Sequence, residues 1–130
     1  MREILFRAKV KKPEGKIILG GFYPDGSWVY GDLHLKTSIP HIHDSPASKQ
    51  PIDVNTVGQY TGITDCDGNR IFEGDIIDLG NKVPSVVVFD EDAASFYLKP
   101  RGLFSQTFNH LYNVIGNIYD NEELIPQEDV

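Results

Sequence analysis

The chain has one cysteine, Cys66, so an intrachain disulfide is excluded and the sequence reads as a protein of a reducing compartment. Long apolar runs are missing: the longest is Val86-Val87-Val88-Phe89, far short of the ~20 residues a membrane helix requires. Charges interrupt every apolar stretch of Met1–Arg7, so a signal peptide is not expected, and the reading is cytoplasmic. Positive charge is scarce. Twelve basic side chains face nineteen acidic ones, and the net charge of −7 disfavours a whole-surface grip on nucleic acid or an anionic membrane. Long helical periodicity is absent as well, because twelve glycines and eight prolines are dispersed along the chain.

What is present is a β pattern on 130 residues, 40% of them hydrophobic and 24% charged, as expected of a globular chain. Ile4, Phe6, Ala8 and Val10 alternate with Glu3, Leu5, Arg7 and Lys9, the signature of a half-buried strand. Lys12-Pro13-Glu14-Gly15 and Pro24-Asp25-Gly26-Ser27 are turn sequences that bracket a strand expected at 16–22 and precede one at 28–35. This predicts an N-terminal antiparallel meander. Pro40, Pro46 and Pro51 lie in a polar stretch, so residues 38–53 are expected to be a long loop, placing a 1–55 N-terminal part with a connector before a 56–130 part.

The second part repeats short strands at 56–61, 70–72, 75–79, 85–90, 95–99 and 113–119, at the spacing of a small barrel or roll. A short helical or irregular piece is expected within 100–111. Asp120 followed by Glu123 predicts a capped helical turn that Pro126 ends.

Three stretches carry a family resemblance. They are Arg2-Glu3-Ile4-Leu5-Phe6-Arg7-Ala8, then Val57-Gly58-Gln59-Tyr60-Thr61-Gly62-Ile63-Thr64-Asp65 continuing through Gly68-Asn69-Arg70-Ile71-Phe72-Glu73-Gly74-Asp75-Ile76, and last Val114-Ile115-Gly116-Asn117-Ile118-Tyr119-Asp120-Asn121-Glu122-Glu123-Leu124. In this order, from residue 2 to about 125, they resemble the YopX-like family of phage and prophage proteins. One departure is Lys9, which stands where an aromatic follows the opening Phe-Arg-Ala in the family. The resemblance implies mostly β structure, with an N-terminal β part and a C-terminal SH3-like barrel. It also implies a phage or prophage origin and homo-oligomers, and it supplies a context rather than a reaction.

In the central motif, Gly58, Gly62, Gly68 and Gly74 suit turns and bulges, and Glu73-Gly74-Asp75 reads as the turn that launches a strand. Its polar members Gln59, Tyr60, Asp65, Glu73 and Asp75 are the candidates for contact with a partner or ligand. A second group, Arg7, Lys9, Lys11, Lys12, Trp28 and Tyr30, forms a basic and aromatic face for single-stranded nucleic acid if their strands are neighbours, although the net charge weighs against it.

Catalytic patterns are thin. Glu73, Asp75, Asp78, Asp90, Glu91 and Asp92 offer carboxylates for hydrolysis, which needs two environments that split their pKa values. There is no Gly-x-Ser-x-Gly elbow, and Cys66 has no histidine close in sequence. Asp65-x-Asp67-x-Asn69 resembles the start of a calcium loop, but Arg70 and Ile76 occupy the positions that require glycine and glutamate. His41-x-His43 would share a strand face, and His34 or His110 would supply a third nitrogen. Because prolines flank the pair in a presumed loop, no metal or other cofactor is expected. The sequence therefore reads as a non-enzymatic, self-associating protein with a host or phage protein partner and no membrane contact. Single-strand binding and carboxylate hydrolysis are the alternatives.

Overall fold

The computed structural model describes residues 3–14, 22–80, 83–100 and 102–125. The chain is mainly β, and among the described residues no helix has seven or more residues. It divides into two compact units, Met1–Gln59 and Tyr60–Val130.

The first unit contains β1 (Phe6–Val10), β2 (Trp28–His34), β3 (His41–Ser45) and most of β4 (Ser48–Thr64). Every pairing is antiparallel. β1 pairs with β2 (Lys9 opposite Trp28, Arg7 opposite Tyr30), and β2 pairs with β3 (His34 opposite His41, Asp32 opposite His43). β3 pairs with β4 (His43 opposite Lys49), and β4 returns to β1 (Phe6 opposite Gln59). The four pairings close into a ring, which removes free edges at these positions. Ala8, Val10, Val29, Ile42 and Ile52 fill its core, with Phe6, Leu33 and Val57 packed against them. The β1 alternation is seen in Phe6, Ala8 and Val10, but Arg7, expected on the outer face, is also buried, its guanidinium lying over the Trp28 ring.

Residues 38–53 are not a loop. They form β3, a two-residue turn at Pro46-Ala47 and the start of β4. Proline fits here because its carbonyl is the group in use: Pro40 O accepts the Ile52 N–H at 3.2 Å, and Pro51 O accepts the Lys11 N–H at 3.0 Å. Gln50 is buried in the same region; its Oε1 accepts the Tyr23 N–H and its Nε2 donates to Ser48 Oγ. The strand expected at 16–22 falls, apart from Phe22, outside the described residues.

In the second unit the last residues of β4 pair with β5 (Arg70–Phe72), Tyr60 opposite Phe72. β6 (Asp75–Asp78), β7 (Ser85–Asp90), β8 (Ser95–Lys99) and β9 (Asn113–Asn117) form an antiparallel sheet in the order β8-β7-β6-β9. Ile71, Ile77, Val87, Leu98 and Tyr112 make the core, with Ile63, Leu79, Phe96, Phe104 and Val114 around it. Burying an aliphatic side chain of this size contributes roughly 1.5–3 kcal/mol. A 3-10 turn at Gln106–Leu111 occupies the segment expected to be short and helical. At the C-terminal end the predicted cap is not formed. The 3-10 turn Glu122–Leu124 has Asn121 at its N-cap, and Asp120 is instead tied to Asn117, which donates its Nδ2 to the Asp120 carboxylate at 3.1 Å.

Candidate metal centre and the other predicted sites

The ring of pairings in the first unit brings three histidines together. His41 and His43 alternate along β3 and share a face, and β2 places His34 directly opposite His41. Their Nε2 atoms, His41 to His43, are 3.2 Å apart. The His34 ring lies parallel to that of His41 with centroids 5.0 Å apart, and 4.6 Å from that of His43. One nitrogen from each of the three falls within 4.8 Å of the others. His34 is exposed and the other two are half-buried.

The His41 ring is held from behind. Its Nδ1 is 2.9 Å from the Ile39 carbonyl oxygen, which can only accept, so Nδ1 carries a proton and the tautomer of the neutral ring is the one with its lone pair on Nε2. Desolvation pushes the His43 imidazole below its ordinary pKa, and His34, His41 and Lys49 push the same way, opposed by Asp32. Asp32 and Lys49 are the cross-strand neighbours of His43 on either side. His110 lies in the second unit, on the 3-10 turn. The period-2 spacing of His41 and His43 was visible in the sequence. The neighbours Asp32 and Lys49 were not, since they depend on register.

Beside this cluster, Asp44 accepts hydrogen bonds from Ser48 and from the Tyr23 hydroxyl, which hold its carboxyl below the usual range. The same bond to Asp44 pushes the Tyr23 phenol up.

The polar members of the central motif are engaged in the fold. Asp65 is 1% exposed. Its Oδ1 accepts the N–H groups of Asp67 (3.0 Å) and Asn69 (2.8 Å), and its Oδ2 accepts Asn69 Nδ2 (3.3 Å) and the Val114 N–H (3.4 Å). Burial raises its pKa, and these hydrogen bonds outweigh that effect, so the net direction is down. Asp75 is buried and accepts the Phe72 N–H at 2.8 Å, closing the Glu73-Gly74 turn where Gly74 has φ +90°. Tyr60 is buried, its ring 5.6 Å from that of Phe72 with the Arg70 guanidinium 5.8 Å above it. Glu73 is half-buried in the turn, and Gln59 pairs with Phe6 in the first unit.

The basic and aromatic group is brought together in part. Arg7 Cζ and Lys9 Nζ lie 4.6 and 5.5 Å from the centroid of the Trp28 ring, and Tyr30 is 44% exposed beside them. Lys11 and Lys12 are exposed just after β1. Among the carboxylates proposed for hydrolysis, Asp78 accepts the Gly80 N–H and Asp90 accepts those of Asp92 and Ala93, which are turn-capping roles. Cys66 is exposed, and desolvation together with Asp67 and Asp65 pushes its thiol up, away from thiolate chemistry. No helix among the described residues is long and apolar enough to cross a membrane.

The model of a family described as YopX protein matches residues 5–126. The fold is similar to a crystal structure titled protein EF1440 from Enterococcus faecalis, at TM-score 0.52 and 20% identity, covering 96% of this chain and 99% of that one. At this identity the likeness bears on the fold. No curated protein matches the chain.

Proposed function

The chain belongs to the YopX family, and from that premise we propose a non-enzymatic protein of phage or prophage origin that works in the bacterial cytoplasm by associating with copies of itself. The supporting observation is the end of the β7–β8 hairpin. β8 is an edge strand of the four-stranded sheet, and next to its start Phe89 and Phe96 pack edge to face at 5.1 Å with Phe89 40% exposed. Among the described residues, the Leu98–Gly102 bridge pairs with the far part of that edge. An edge strand beside the exposed Phe89, which is backed by the half-buried Phe96, suits pairing with a second copy. A host or phage protein would use the same edge. Tyr60, a candidate for partner contact, is buried, and 41–53 is taken up in the paired strands β3 and β4. The test is light scattering of the full chain with and without Phe89→Ser: the wild type exceeds the mass of one chain and the variant shifts towards it. Identical masses for the two overturn the role of this edge.

A second reading has its own support. Arg7 and Lys9 over Trp28, with Tyr30 exposed alongside, combine cationic and stacking groups on one face, as single-strand binders do. Titration of labelled single-stranded DNA and RNA at low salt checks it. Salt-dependent binding weakened by Tyr30→Ala supports it, and no binding removes it. Carboxylate hydrolysis is the weaker alternative, because Asp75, Asp78 and Asp90 of its six carboxylates accept backbone N–H groups in turns.

A further inference from the structure

We propose that His34, His41 and His43 bind a zinc ion, with a fourth position open to water. Three features of the first unit carry this. Tetrahedral zinc at about 2.0–2.1 Å from two imidazole nitrogens holds them roughly 3.3 Å apart, and the His41 and His43 Nε2 atoms are already 3.2 Å apart. Two nitrogens facing each other at that distance need either one shared proton or a cation between them. The His41 ring is oriented for the cation: Nδ1 is fixed on the Ile39 carbonyl at 2.9 Å, the outer contact that sets tautomer and ring direction in metal sites. The third ligand comes from a different strand. His34 lies opposite His41 with a nitrogen within 4.8 Å of both partners, and binding requires this exposed side chain to rotate out of its stack on His41 to close the remaining distance.

The backbone support is rigid for so small a unit. All three histidines sit on hydrogen-bonded strands, not on the loop that the prolines suggest, and strands hold ligands more closely than loops do. The donor set is all imidazole, which suits zinc and its neighbours copper and nickel rather than magnesium or calcium. Asp32 offsets part of the ion's charge from one side, and Lys49 opposes it from the other.

The experiment uses the untagged full chain, stripped with chelator, equilibrated with zinc and dialysed. Elemental analysis is expected to find one zinc per chain. Cobalt substitution is expected to give the intense visible bands of a tetrahedral site. His41→Ala and His43→Ala lose the bound metal while keeping the β signature in circular dichroism, and His110→Ala keeps it. Absence of retained zinc in the wild type overturns the proposal, and so does a weak octahedral cobalt spectrum, a readout that needs no variant to fold. Retention of zinc by both folded variants overturns it as well.

Discussion

A Cβ placed on Gly31 would run into the backbone carbonyl oxygen of His43. Glycine at that position allows β2 and β3 to approach closely enough for His34 to meet His41 and His43. Because the obstacle is backbone, a side chain cannot be accommodated by a rotamer change. Gly31→Ala is expected to destabilise the chain by about 1–3 kcal/mol, as overpacking does. The urea midpoint measures this. A midpoint equal to wild type contradicts the close approach.

Asp65 gathers four donors, the last of them from Val114, far along the chain. Asp65→Ala leaves these groups without their acceptor and is expected to cost about 1–3 kcal/mol. If the residue instead contacts a partner, the variant keeps wild-type stability and loses only the partner.

The same carboxylate predicts a pH dependence. Its folded pKa lies below the ordinary value, so the unfolded chain binds the proton more readily. The stabilisation is therefore complete above the unfolded value of about 3.9 and is lost as pH falls through the folded value. Asp44, lowered by Ser48 and Tyr23, acts in the same direction. Melting temperatures followed from pH 6 downward are expected to fall less steeply in Asp65→Asn than in wild type.

Ile77 is fully buried at the centre of the second unit. Ile77→Ala is expected to cost about 2–5 kcal/mol. Because Ile77 lies in the second unit and the three histidines in the first, the zinc stoichiometry of the folded variant is expected to stay at that of wild type.

Lys49 sits opposite His43 and bears the charge that opposes a cation. Lys49→Gln is expected to tighten zinc binding on the order of fivefold at low salt, with the gain shrinking as salt screens it. Competition with a chromophoric chelator measures the change.

Much of the fold could be read from local pattern. Strands at 85–90 and 95–99 have the expected bounds because β-branched and aromatic runs there are closed by clear turns. The stretch 38–53 reads as a loop when proline counts as a break, whereas Pro40 and Pro51 serve the pairing through their carbonyls. The candidate metal centre depends on the same difference, since histidines in a loop are ordinarily solvated whereas His41 and His43 on a paired strand share a face. The His41–His43 spacing is local, but the juxtaposition with His34 depends on cross-strand register, which no window of sequence contains. Likewise Asp65 looked like a ligand or partner residue, and only the fold shows its carboxylate turned inward to Asn69 and Val114.

Self-association is the centre of the functional account, and sedimentation equilibrium of the full chain across a micromolar concentration series tests it most directly. A self-associating chain gives a mass that is a multiple of one chain and that Phe89→Ser lowers. A single-chain mass at every concentration would contradict it.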